Sequence, residues 1–176
     1  LQKFRDNALN PESPKTRGTA QNDDIYFQTR ELSNRFYDAV PDIVANYLAE
    51  ISKITGRDYK PFNYYGDPEA TRVIVAMGSV TQTLEEVVDY LNAKDEKVGI
   101  IKVHLYRPFS IKYLFDVMPK SVKKIAVLDR TKEPGSLGEP LYLDIKAAFY
   151  SQKDAPIIVG GRYGLSSKDV DPAQML

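Results

Sequence analysis

The sequence predicts a three-layer α/β fold in which a mainly parallel sheet carries helices on both faces. From residue 72 onward, short apolar runs alternate with segments of helical periodicity, and short turns join them. This alternation is typical of βαβ units, whose crossover helices pack on the faces of a parallel sheet. The apolar run at 73–77, VIVAM, has no polar interruption, which indicates a strand buried on both faces.

The elements of this region follow one another in a regular order. Four strands are predicted, at 73–77, 98–103, 122–128 and 156–159, the last of which ends in Gly160-Gly161. Helices are predicted between them, around 84–91, 111–117 and 141–150. The first of these helices is supported by apolar residues at three- and four-residue spacing. Pro108 precedes the short second helix and Pro119 limits its end, because proline does not continue a helix.

The first 68 residues lack this regularity, and we interpret them as a linker and a helix from the end of a preceding domain, with the α/β domain at 69–176. The polar stretch 1–37 predicts a loop-like connector in which residues 25–27 form a short strand or an anchor. A helix is predicted from its cap Asp38 to its stop Gly56. The aromatic stretch 59–68 predicts a linker that a Gly-Asp-Pro turn closes.

Composition narrows the function classes. The 176 residues are 43% hydrophobic, enough for one domain with a core, and 24 basic residues balance 24 acidic ones. A chain without net charge lacks the excess of basic residues that nucleic-acid-binding proteins carry. No apolar run is long enough to span a membrane. Cysteine is absent and His104 is the single histidine, so we expect no thiolate or histidine metal site. We expect a soluble cytoplasmic domain, and Leu1 in place of Met indicates a piece of a longer protein.

Candidate contacts lie where the predicted strands end, because parallel sheets bind ligands at their carboxyl edge. Gly78-Ser79 follows the first strand and opens a helix, whose N–H groups could hold an anion. It matches neither the dinucleotide-binding glycine fingerprint nor a P-loop. The alternative is a tight turn in which Ser79 or Thr81 caps the helix. Gly160-Gly161 is a weaker candidate of the same kind, since glycine pairs often end strands.

The loop after the third strand has the most functional character. It is long and polar, and it begins with Arg130, Thr131, Lys132 and Glu133, followed by Gly135. Such loops hold ligands, contact neighbouring domains or are simply solvated, and the three interpretations stay open. Arg107, after the second strand, is expected to form an ion pair while Phe109 packs beneath the turn. No set of side chains forms a catalytic constellation, so no catalytic residue is predicted.

Several longer motifs resemble those of pyruvate:ferredoxin (flavodoxin) oxidoreductases. They are RVIVAMGS at 72–79, EEVVDYL at 85–91, LYRPFS at 105–110, AVLDRTKEPG at 126–135, GEPLYLD at 138–144 and VGGRYGL at 159–165, with RGTAQN at 17–22 and DIYFQ at 24–28 upstream. Their order agrees with that family across nearly the whole chain. The resemblance places the chain at the end of the first domain and over the second domain, which is similar to the C-terminal domain of transketolases.

The resemblance implies a large multidomain homodimer that oxidises pyruvate to acetyl-CoA. Such an enzyme uses thiamine pyrophosphate with magnesium and [4Fe-4S] clusters, takes CoA as a substrate, and passes electrons to ferredoxin or flavodoxin. The second domain is mainly structural, so we expect no cofactor in this stretch and an inactive isolated fragment. Its candidate contacts, at Arg107 and from Arg130 to Gly135, are expected to hold neighbouring domains. The alternative is a stand-alone nucleotide-binding or interaction module.

Overall fold

The computed structural model describes residues 1–14 and 20–176, and the backbone forms two compact units, Leu1–Phe36 and Tyr37–Leu176. The motif at 17–22 therefore lies partly outside the described residues. None of the helices in the described ranges is long and apolar enough to cross a bilayer.

The first unit is more helical than its polar sequence predicts. It holds α1 (Gln2–Asp6) and α2 (Asp23–Leu32), while a turn in which the Glu12 N–H donates to Asn10 Oδ1 at 3.0 Å lies between them. The short strand considered for residues 25–27 is wrong, because these residues lie in α2 and are exposed there. Asp23 and Asp24 stand in the first turn, where acidic side chains stabilise the positive end of a helix.

The second unit is built on a sheet of five strands. They are β1 (Phe62–Gly66), β2 (Arg72–Met77), β3 (Val98–Val103), β4 (Lys124–Asp129) and β5 (Ile157–Arg162), in the order β1-β3-β2-β4-β5. The pairs β3–β2, β2–β4 and β4–β5 are parallel, and β1 runs antiparallel to β3. The four strands predicted from the apolar runs are the four parallel ones, so the mainly parallel sheet is confirmed.

Helices cover the sheet on both faces, as predicted. The helices α5 (Ile111–Val117) and α6 (Pro140–Phe149) pack on one face, over a core that includes Val75, Ile101 and Val127. The opposite face carries α4 (Val80–Asn92), over Ala76 and Ile100, and a short 3-10 helix, Pro172–Met175, packs beside α4. Alternate residues of each strand enter the two cores, which is why the central runs are continuously apolar.

The long helix before the sheet, α3, spans Asn34–Thr55 and so begins one turn before the predicted cap Asp38. Because α3 begins at Asn34, Pro41 lies inside the helix. In a helix starting at Asp38, Pro41 would have stood in the first turn, where proline is tolerated more easily. The predicted stop is confirmed: Gly56 has φ +71° and its N–H donates to the Ser52 carbonyl at 2.9 Å. A left-handed residue at this position is a common helix ending, and glycine adopts it without strain.

The aromatic stretch 59–68 is not a linker over its whole length. Its middle forms β1, in which Phe62 pairs with Val103 and Gly66 with Gly99 across an antiparallel register. Phe62 is fully buried, so part of the aromatic character that indicated a linker belongs to the core. The predicted domain boundary between residues 68 and 69 remains a prediction about the longer protein.

The strand β5 continues through the glycine pair expected to end it. A Cβ on Gly160 would come 3.0 Å from the ring of Tyr142, and one on Gly161 would come 2.8 Å from a methyl group of Leu128. The glycines therefore let α6 and the neighbouring strand approach the backbone closely. This packing explains the pair without a phosphate-binding turn.

Candidate functional site

The carboxyl edge of the parallel strands contains a cleft where the chain leaves two neighbouring strands in opposite directions. After β2 the chain enters α4 on one face of the sheet, and after β4 it leads to α6 on the other face. Such a switch point opens a crevice in α/β sheets. The cleft measures about 290 Å³ and is lined by Met77, Gly78, Ser79, Tyr106, Asp129, Arg130, Thr131, Pro140 and Tyr163.

The turn at Gly78-Ser79 forms one wall of this cleft. Gly78 has φ +80°, a left-handed conformation that favours glycine, and both residues are exposed. Ser79 occupies the N-cap position of α4, but its side chain makes no capping hydrogen bond. The Thr81 hydroxyl instead donates to the Gly78 carbonyl at 2.9 Å. The expected turn is present, therefore, while capping by the Ser79 or Thr81 side chain is not.

A buried carboxylate at the end of β4 fixes the opposite wall. Asp129 is 1% exposed and accepts hydrogen bonds from the backbone N–H groups of Leu141 at 3.0 Å and Tyr142 at 3.1 Å. These donors belong to the first turn of α6, so Asp129 ties the helix to the strand end. Burial raises the pKa of the Asp129 carboxyl, and the two backbone hydrogen bonds oppose that rise.

A second acidic side chain orders the long loop. Glu139 is buried just before α6, accepts the Glu133 N–H at 2.7 Å and is paired with the Arg162 guanidinium at 2.7 Å. The Glu133 N–H and the Arg162 hydrogen bond lower the pKa of the Glu139 carboxyl. Lys132, Glu133 and Gly135 are therefore exposed on a loop whose shape is set from within.

Arg130 is exposed at the mouth of the cleft and is only partly used by the fold. Its Nε–H donates to the Gly164 carbonyl at 3.0 Å. Among the described residues, no carboxylate oxygen lies within 4.0 Å of its guanidinium nitrogens. Thr131 follows on the same loop and is also exposed. The charged end of Arg130 can therefore receive an acidic group from outside this unit.

Arg107 has a different environment. Its Nη2 lies 2.7 Å from Asp144 Oδ2, and its guanidinium lies over the Tyr106 ring, 3.9 Å from the centroid. Burial and the hydrogen bond to Asp144 raise the pKa of Tyr106 to about 12. Phe109 packs edge-on against Phe62 with ring centroids 5.5 Å apart. Arg107 thus braces the loop after β3 against α6.

The site residues that sequence reasoning missed are Asp129, Glu139 and Tyr163, whose hydroxyl donates to the Met77 carbonyl at 3.3 Å. Two of them carry a local signal: an acid ends a buried strand, and an acid directly precedes the proline that starts α6. Asp129 and Glu139 both have hydrogen-bond partners inside the unit. The arrangement can position and bind, and the described residues of this edge form no pair of nucleophile and base.

Comparison with known proteins decides the family. Residues 70–175 match the family model described as pyruvate:ferredoxin oxidoreductase core domain II. The chain belongs to this core domain II family. It is 63% identical over 174 residues to the pyruvate-flavodoxin oxidoreductase of Enterobacter agglomerans, and 55% identical over 175 residues to the pyruvate:ferredoxin oxidoreductase of Moorella thermoacetica. Each alignment covers 99% of this chain and 15% of the relative, so the resemblance in the motifs is confirmed for a small part of a longer enzyme.

A solved 2-oxoglutarate:ferredoxin oxidoreductase from Magnetococcus marinus also matches, with a TM-score of 0.45 and 19% identity over 66% of this chain and 18% of that chain.

The family resemblance implies iron–sulfur clusters in the longer enzyme outside this stretch, and the residues of core domain II do not fit them. The chain contains no cysteine, so it supplies no thiolate ligand. The described residues also contain no group of three or more His, Cys, Asp or Glu side chains arranged to hold a metal ion. His104 Nδ1 lies 2.9 Å from the Lys60 carbonyl, which is a structural contact.

Proposed function

We propose that this chain is a structural and assembly domain of an enzyme that oxidatively decarboxylates pyruvate to acetyl-CoA. The longer enzyme would use thiamine pyrophosphate with magnesium and [4Fe-4S] clusters and pass electrons to flavodoxin or ferredoxin. Relatives named for pyruvate oxidation support this proposal, at 63% and 55% identity. The same proposal includes a homodimeric parent in the cytoplasm. These cofactors carry the chemistry, and protein domains position them.

The role of the domain is inferred from which charged side chains at the carboxyl edge have a partner within the unit. Asp129, Glu139 and Arg107 are engaged within the unit, whereas Arg130 presents its guanidinium to the surface. A site built for acid–base chemistry needs titratable groups that can reach a substrate. Here such groups brace loops instead. We therefore assign Arg130 and the loop through Gly135 to contact with a neighbouring domain, and Arg107 to bracing within the unit.

The size of the cleft favours a docked side chain over a nucleotide. Ligand pockets of proteins typically measure roughly 300–1,000 Å³, and the cleft of about 290 Å³ is at the lower end. The turn at Gly78 lacks the glycine fingerprint that brings a backbone close to a pyrophosphate. An acidic side chain from a neighbouring domain would fit beside Arg130 without these features.

The test is Arg130→Ala in the full-length enzyme, compared with Lys153→Ala on an exposed loop. We expect Arg130→Ala to lower the fraction of intact dimer and the Tm, measured by light scattering and thermal unfolding. Turnover per intact dimer, measured by pyruvate- and CoA-dependent dye reduction, should stay close to that of the control. A large fall in turnover with an intact, fully loaded dimer would contradict the proposal. So would an assembly indistinguishable from that of Lys153→Ala.

A further inference from the structure

The helix α3 presents an apolar stripe to solvent. Ile43, Tyr47, Ile51 and Ile54 follow one another at intervals of four, four and three residues, which places them on one side of the helix. Their exposed fractions are 49, 62, 43 and 84%. Scattered apolar residues on a surface are ordinary, but a continuous stripe of this length marks an interaction surface.

The side of α3 that faces its own unit combines the half-buried Val44 and Leu48 with small side chains. Ala45, Ala49 and Ser52 line a cavity of about 440 Å³ between the helix and the segment around Pro61. No residue of α3 is buried. The more exposed apolar side of this helix is therefore the stripe, whereas the apolar stripe of an ordinary surface helix faces the core.

Polar contacts hold α3 to the rest of the unit. Asp42 accepts a hydrogen bond from the Tyr113 hydroxyl at 2.6 Å and pairs with Lys112 at 3.1 Å. Near the other end, the Tyr59 N–H donates to Ser52 Oγ at 2.9 Å. Helices in proteins gain most of their stability by packing an apolar face, and the half-buried Val44 and Leu48 supply only part of such a face. Further packing that stabilises α3 would come from whatever covers its stripe.

We infer that an apolar face of another domain of the same polypeptide covers the stripe of Ile43, Tyr47, Ile51 and Ile54. The two relatives carry this region as 15% of a single chain, so most of their polypeptide is available to cover it. A tethered domain meets the stripe at an effective concentration in the millimolar range, whereas a second copy must be found in solution. The four-four-three spacing suits packing against a helix or a sheet. This inference rests on the proposed function, in which the chain is an assembly domain.

Photo-crosslinking in the full-length enzyme tests the inference directly. A benzophenone amino acid replaces Tyr47, and in a matched control it replaces Tyr150, which is 90% exposed outside the stripe. We expect the Tyr47 probe to join a peptide from outside residues 1–176, in a product that keeps the mass of one chain on a denaturing gel. The Tyr150 probe should not give that product. A product of doubled mass, a crosslink within residues 1–176, or no crosslink would overturn the inference.

Hydrogen exchange gives a second reading that does not depend on a probe. The variant Ile43→Gln in the full-length enzyme is compared with Ile111→Gln on α5, since both isoleucines are 49% exposed in this structure. Loss of a docked neighbour should make the α3 amides exchange at least about tenfold faster while β2 keeps its protection. Equal exchange of α3 in the two variants would contradict the inference.

The activity of the same preparations separates the two proposals. If the enzyme shows no pyruvate-dependent dye reduction but crosslinks at Tyr47 as expected, the docking inference holds and the proposed activity is wrong. If the enzyme is active but gives no Tyr47 crosslink, the proposed activity holds and the docking inference is wrong.

Discussion

Removing the Asp129 carboxylate should loosen the carboxyl edge by detaching α6 from β4. In Asp129→Ala the N–H groups of Leu141 and Tyr142 lose their acceptor. Loss of a helix cap costs about 1 kcal/mol, and a buried donor without a partner costs about 1–3 kcal/mol. Leu141 is fully buried, so water cannot replace the acceptor at its N–H. Relief of the carboxylate's own burial offsets part of this cost, and we expect a net loss of about 2 kcal/mol.

The measurement is urea unfolding of the purified chain at neutral pH, followed by circular dichroism. Asp154→Ala serves as the control, because Asp154 is exposed on a loop and such substitutions change stability by less than about 0.5 kcal/mol. Asp129→Asn keeps one oxygen acceptor and should lose about half as much as Asp129→Ala. If Asp129→Ala unfolds at the same urea concentration as the control, the carboxylate does not hold α6 in place.

Three further predictions concern the same edge. Wild-type stability should fall as pH drops below the ordinary value of 4.5 for Glu139, because its folded pKa is lowered by the Glu133 N–H and then by Arg162. The stabilisation from Glu139 is present above pH 4.5 and is lost as the pH falls through the lower folded pKa. Glu139→Gln should therefore show a smaller fall in unfolding free energy between neutral and acidic pH than the wild type. An unchanged fall would refute this reasoning. Gly78→Ala should cost about 1 kcal/mol in urea unfolding through its φ of +80°, since no atom of the described residues lies within 4 Å of the added Cβ and backbone strain is the remaining cost. A stabilised variant would show that the turn differs. A double-mutant cycle of Arg107→Met and Asp144→Asn should give a coupling free energy of at most about 1 kcal/mol, because Arg107 is exposed. This coupling should weaken as salt is added. A coupling free energy that salt leaves unchanged would indicate a buried pair.

The parallel part of the fold could be predicted because its signals are local. Continuous apolar runs mark β2, β3 and β4, and the spacing of apolar residues marks α4. The strand β1 could not be predicted in this way. Its Phe62–Gly66 run is short and lies between proline and glycine, and its pairing partner is the later strand β3. Only the assembled sheet distinguishes such an edge strand from an aromatic linker.

The site was predicted as a set of loops but not as a set of partners. The positions of Arg130 and Arg107 after strands follow from the order of the elements. The pairing of Arg107 with Asp144 depends on how α6 packs on the sheet, and no local pattern encodes it. The same is true of Glu139, whose acceptance of the Glu133 N–H requires the loop to fold back on itself. The order of elements in the sequence therefore predicts which residues lie at the carboxyl edge, whereas tertiary packing determines which charged side chains pair there.

The antiparallel strand β1 bears on how the protein can be shortened. The family match begins at residue 70, after β1, although β1 pairs with β3 along its full length. A chain trimmed to the matched span would leave β3, with the buried Ile100 and Ile101, as an open sheet edge. Open apolar edges pair with other chains and aggregate. We therefore expect a stable shortened chain to begin ahead of Phe62, because β1, which the family match omits, covers the edge of β3.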